Sequence, residues 1–127
     1  MATLEEGIVS RAKAQVSGIS SRIYPYPAPL VTTAPYITYR RVSTTRYPTL
    51  TEAGSYEVAI EFDVIGSSYS NMQTIRAALK AAFEDVLGAY SSGAPYVQRV
   101  EVLNEFDGYD GQTEQYTGML ELSFFHN

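Results

Sequence analysis

Cysteine is absent from all 127 residues, which excludes disulfides, cysteine-ligated zinc and cysteine nucleophiles together and says nothing of the redox compartment. Histidine occurs once, at His126, so neither a Ser-His-Asp arrangement nor a multi-histidine metal site has anything to build on, and a frayed terminus is expected there. No apolar run approaches the roughly 18 residues a membrane span needs, and Met1-Ala2-Thr3-Leu4-Glu5-Glu6 lacks the basic and apolar regions of a secretory signal. A soluble polypeptide without a membrane partner is the expectation. Positive charge is also scarce: nine basic against fourteen acidic residues give −5, which disfavours a general grip on nucleic-acid phosphates. Walker A, dinucleotide and nucleophile-elbow glycine patterns are missing too; Gly66-Ser67-Ser68-Tyr69-Ser70 has one glycine where an elbow needs two.

What remains is a single domain, residues 1–127, of ordinary composition: 45% hydrophobic and 18% charged. Thr3 with Glu6 reads as a capping box, and Leu4, Ile8, Ala12 and Val16 recur at helical spacing, predicting a helix from Leu4 to Ser17 that leaves at Gly18. Prolines then stiffen the chain through Tyr24-Pro25-Tyr26-Pro27 to Ala34-Pro35, where a strand opens at Tyr36 and runs to Ser43. Residues 44–54 read as a long polar loop. Tyr56, Val58, Ile60, Phe62 and Val64 alternate with Glu57, Ala59, Glu61 and Asp63, a strand with one core face and one acidic, solvated face.

Ser70 with Gln73 suggests a second capping box, opening a helix whose Met72, Ile75, Leu79, Ala82, Phe83, Val86 and Leu87 share one stripe before Gly88. Strands from Val97 to Phe106 and from Gln115 to Phe125 then flank the turn-rich Asp107-Gly108-Tyr109-Asp110-Gly111. The expected fold is α+β, in the order α-β-β-α-β-β, with helices packed on an essentially antiparallel four-stranded sheet.

Three constellations invite chemistry, and each has a plainer explanation. Asp107, Asp110 and Glu114 fail the EF-hand spacing, because alignment on Gly111 puts Phe106 and Gly108 at the first ligand positions; they are turn formers. Glu57, Glu61 and Asp63 line a strand face without a cleft to make them an acid/base pair. Arg40 and Arg41 point to opposite faces of their strand, so they form no phosphate-gripping row and are expected to pair with Glu57 or Glu61 or with a neighbouring subunit. Glu84 and Asp85 sit against the macrodipole at the second helix's end, an oddity that a Lys80–Glu84 pair only partly relieves. No catalytic residue, cofactor or metal ligand is assigned. Eleven tyrosines, many in loops, favour protein–protein contact.

Arg22-Ile23-Tyr24-Pro25, a proline-rich spacer, then Pro35-Tyr36-Ile37-Thr38-Tyr39 resembles the phage tail-completion or tail-terminator family. The resemblance continues through Ile60-Glu61-Phe62-Asp63-Val64, Ser68-Tyr69-Ser70, the helix to Leu87, and Asp107-x-Tyr109-Asp110 with Tyr116 and Leu120. It implies a non-enzymatic virion protein, made in the host cytoplasm, that assembles with itself as a ring, a hexamer by resemblance, on the head-proximal end of the tail tube. Its partners would be the tail tube protein and a head-tail connector or neck protein, with genomic DNA passing unbound. An acidic sheet face would suit that passage by repelling phosphates. Tyr47 and Leu50 in the long loop, and Phe106 and Tyr109 at the terminal turn, are the candidate protein contacts. Another neck or head-tail joining protein, or a small ligand-binding module, is the alternative.

Overall fold

The computed structural model describes residues 3–16, 19, 22–27, 34–47, 55–111 and 115–126, with the backbone alone described at Tyr47, Ser55 and Asp110. The elements are α1 (Leu4–Gln15), β1 (Ile23–Pro25), β2 (Tyr36–Tyr47), β3 (Ser55–Gly66), α2 (Tyr69–Phe83), β4 (Gly88–Ala89), β5 (Tyr96–Asp110) and β6 (Gln115–His126). The α+β class stands, but the order is α-β-β-β-α-β-β-β. The sheet is a mixed, curled half-barrel of six strands, β1-β2-β3-β6-β5-β4, instead of four antiparallel ones.

The two added strands escape sequence patterning because each is too short to alternate. β1 is three residues ending in Pro25, and it pairs parallel with β2 through Ile23↔Ile37, Tyr24↔Thr38 and Pro25↔Tyr39; proline is tolerated there because β1 is an edge. Arg22 Nε donates to the Pro35 carbonyl at 3.0 Å, so the two halves of the proline-marked motif lie side by side. β4 is Gly88–Ala89 against Val97 and Tyr96.

Two strands outrun their expected ends. β2 continues through Thr44, Thr45 and Arg46 to Tyr47, paired with Val58, Glu57, Tyr56 and Ser55 after a register shift between Arg41 and Ser43. β5 continues through the expected turn, with Phe106, Asp107, Gly108, Tyr109 and Asp110 opposite Met119, Gly118, Thr117, Tyr116 and Gln115. Turn-forming residues are held extended here because β6 supplies ladder partners, a case of tertiary context overriding propensity.

Both helices cover one sheet face. Thr3 Oγ1 accepts from the Glu6 amide at 3.1 Å, as the first capping box requires, and α1 stops at Gln15, short of the expected Ser17. Ser68, not Ser70, caps α2, accepting from the Asn71 amide at 3.1 Å. The helix ends at Phe83, not Leu87, because the backbone leaves the helical region at Glu84 (ψ 122°) and turns left-handed at Asp85 (φ 59°), a conformation Asp adopts more readily than most side chains. Glu84 is therefore the C-cap, its amide donating to the Lys80 carbonyl, with Asp85 just beyond it, so both acids stay at the negative end of the helix, and Leu87 is exposed. The redirected chain lays Tyr90 on Phe83 and Phe124, with ring centroids at 5.4 and 6.1 Å.

The core lies between that sheet face and the helices. Phe62, Phe83, Phe124, Ile8, Ile37, Ile60, Leu79, Leu120 and Leu122 are fully buried. Phe62 stacks on Phe83 at 5.9 Å, and Phe83 meets Phe124 edge-on at 5.7 Å. Such ring pairs add about 0.5–1.5 kcal/mol each beyond area burial. Met72, in the first turns of α2, nests against Gly66 and Gly118, where added β-carbons would collide with it. This close approach sets α2 onto β3 and β6.

Candidate functional site

Register and pleat sort the side chains of the sheet into two faces. On the face away from the helices, cross-strand rows run Thr38–Asp63–Met119–Phe106, Arg40–Glu61–Glu121–Asn104, Ser43–Ala59–Ser123–Glu101 and Thr45–Glu57–Phe125–Arg99. Five carboxylates, Glu57, Glu61, Asp63, Glu101 and Glu121, share this face with Arg40 and Arg99. Glu61 and Glu121 are direct opposites across β3 and β6, a like-charge pairing that costs stability unless something offsets it.

The acidic face is not the freely solvated surface that alternation suggests. Thr38, Ala59, Met119 and Ser123 on it are buried, and Glu57, Glu61, Asp63 and Glu121 are half-buried, although neither helix packs there. Side chains on a curled sheet shade one another, which strand periodicity cannot reveal. Arg40 bonds Glu61 Oε2 through Nε at 2.8 Å and Nη2 at 2.6 Å, the cross-strand pairing expected from alternation. Ser123 Oγ donates to Glu57 Oε2 at 2.9 Å. Burial, reinforced by the Glu61 charge, pushes the Asp63 carboxyl above the usual carboxylate range against the smaller opposing pull of Arg40.

The other exposed cluster joins α2 to β5. Arg76 donates to Asp107 Oδ1 at 2.5 Å, to the Phe106 carbonyl at 3.1 Å, and reaches Glu105 Oε1 at 3.1 Å; Lys80 lies 3.6 Å from Glu105. The Tyr69 hydroxyl donates to Asp107 Oδ2 at 2.7 Å. Together Tyr69 and Arg76 hold Asp107 below its ordinary range.

Phe106 and Tyr109 are both exposed, on strand β5 instead of in a turn. The pleat separates them: Phe106 stands opposite Met119 on the acidic face, whereas Tyr109 packs on Tyr116 at 4.8 Å on the helix side. Tyr47 closes β2, but its side chain lies outside the described residues, as does Leu50. Sequence reasoning passed over exposed Val42 on β2 and Leu103 on β5. Their signal is weak, since each falls at or beside a register shift where alternation breaks.

His126 is no frayed end: it pairs with Tyr56 and Val97 in the sheet, and its ring stacks on Tyr56 at 5.4 Å. It borders a shallow depression of about 370 Å³ with Thr3, Leu4, Arg41, Thr44, Tyr56 and Pro95, where Arg41 is already engaged by Glu5 at 2.6 Å. Among the described residues no group of three metal-binding side chains occurs. No described helix is long and apolar enough to cross a membrane.

Comparison with solved structures finds the same architecture in other chains. A chain of the native gene transfer agent virion particle superposes with a TM-score of 0.68, at 12% identity, over 93% of this chain and 90% of its own. A second solved chain matches with a TM-score of 0.55, at 14% identity, over 97% and 89%. At such identities the likeness is one of fold. A search of curated protein sequences finds no match. The tail completion protein gp17 family matches residues 9–127, nearly the whole domain from α1 to the last strand. The chain belongs to the tail completion protein gp17 family, and is therefore a structural protein of the virion tail and not an enzyme.

Proposed function

We propose that this protein forms a ring, a hexamer by family resemblance, on the head-proximal end of the tail tube, ends tube growth and offers the docking surface for a head-tail connector or neck protein. Family membership is the observation that carries the reading. The mechanism is replacement of one surface by another: a ring whose lower face matches the tube and whose upper face does not terminates a head-to-tail polymer. Affinity comes from repeated protein contacts, without bond chemistry.

The acidic sheet face supplies a second part. Turned toward the channel, its carboxylates repel DNA phosphates, and genomic DNA passes without adhering. Phe106 stands at the margin of that face, with Tyr109 on the other side of β5; with Tyr47 and Leu50 they are the proposed contacts to the tube and connector.

Complementation of a phage lacking the gene tests this function. Tyr47→Ser with Leu50→Ser should leave a folded protein that yields overlong tails or tails unable to join heads. A joining defect at normal tail length assigns Tyr47 and Leu50 to the connector side, the role of a neck protein. Normal yield and tail length with full incorporation remove this pair from the mechanism.

A further inference from the structure

Both edges of the sheet are only half covered, and at opposite ends. Among the described residues, β1 pairs with β2 at Ile37, Thr38 and Tyr39, leaving 40–47 without an outer strand partner. β4 pairs with β5 at Tyr96 and Val97, leaving 98–110 likewise. Long open edges are normally avoided, because unpaired amides and carbonyls template further strands.

The two open edges differ in sign. Residues 40–47 carry Arg40, Arg41 and Arg46 and no acid, while 98–110 carry Glu101, Glu105, Asp107 and Asp110 against Arg99. In two of the ion pairs that reach the edges, the edge member is much the more exposed. Arg40 is 56% exposed over a Glu61 that is 16% exposed. At the other edge Asp107 is 39% exposed over an Arg76 that is 11% exposed.

We infer that the β2 edge of one copy pairs with the β5 edge of the next, extending the sheet head-to-tail from subunit to subunit. The inference rests on the ring reading and gives it an interface. Strand direction permits it: β2, β3, β6 and β5 alternate up and down, so β5 and the neighbour's β2 meet antiparallel about a rotation axis to which the strands are tilted. The staggered covers also fit. To bring 40–47 beside 98–110 past β1 and β4, the subunits must slip along the strand direction, and such a register shear accompanies closure of a sheet into a barrel. Unlike edges make a heterologous contact, which propagates from copy to copy instead of stopping at a dimer and closes into a ring where the rotation per subunit divides the circle.

Charge reversal tests the polarity. Arg46→Glu sets an acid in the basic edge, against the acidic edge of the next copy, and Glu101→Arg sets a base in the acidic edge, against the basic one; both sites are exposed, and melting temperatures check that the folds survive. In sedimentation velocity the wild type should assemble, each variant alone should self-associate about ten-fold or more weakly, since a like charge then enters every edge contact, and an equimolar mixture should associate more strongly than either variant alone, through the wild-type β5 edge of one and the wild-type β2 edge of the other. Wild-type rings indifferent to both reversals would overturn the edge pairing while leaving the ring intact. A wild type that stays monomeric throughout yet complements the deficient phage also overturns it, and tail completion stands; absence of the wild-type protein from purified virions strikes the functional reading itself.

Discussion

Glu61 on β3 and Glu121 on β6 face each other in register at the middle of the sheet surface that neither helix covers. Arg40 bridges to Glu61 from one side, while Asp63 lies in the adjacent row. Like charges concentrated on half-buried strands oppose folding, and proteins retain such arrangements where function needs them.

Asp63 offers the cleanest measure of that cost. Its pKa is raised in the folded chain, so the folded state holds this proton more tightly than the unfolded state and loses relative stability as pH rises through the carboxylate range. Asp63→Asn should melt higher than wild type at pH 7 and converge with it near about pH 3, where the wild-type carboxyl is protonated in both states. A lower melting temperature at pH 7 would mean that Arg40 stabilises the carboxylate more than burial penalises it.

Phe62→Ala should cost about 3–5 kcal/mol in denaturant unfolding, because Phe62 is fully buried and its ring stacks on Phe83. A midpoint near wild type would contradict the packing of β3 against α2.

Gly66→Ala should destabilise by about 1–3 kcal/mol, and more than Gly118→Ala. A β-carbon at Gly66 would lie 2.7 Å from the Met72 backbone nitrogen, which can move only with α2, whereas at Gly118 it meets the flexible Met72 thioether. Thermal melts of the two variants compare them directly, and the reverse order would relocate the tight contact to β6.

Phe106→Ser should change stability by under about 1 kcal/mol, since the ring is 53% exposed, and should impair assembly or head joining in complementation. Full incorporation and normal yield would make the exposed ring incidental.

The sequence displayed the long elements well. Period-two alternation located β3, and Met72, Ile75, Leu79, Ala82 and Phe83 marked the buried stripe of α2. It concealed β1 and β4, which are too short to carry a period, and it misread Asp107 to Asp110 as a turn, because Gly and Asp propensities are local whereas the ladder with Gly118 to Gln115 is not. The ends of α2 slipped for a related reason: Ser68 and Ser70 are equal as caps by composition, and the left-handed backbone at Asp85 leaves no mark at an Asp that a helix could also accept. Of the candidate surface, the acidic spacing of Glu57, Glu61 and Asp63 was legible, as was the Arg40–Glu61 pairing. The cross-strand meeting of Glu61 with Glu121 was not, since it depends on register between strands that are far apart in sequence.

The most direct test is to image tails purified after complementation with a tagged copy of this chain, locating the tag at one end and counting copies. The account predicts a closed ring of this protein at the head-proximal end, on tails of uniform length. Tails of uniform length without the protein, or with the protein only at the distal tip, would contradict it.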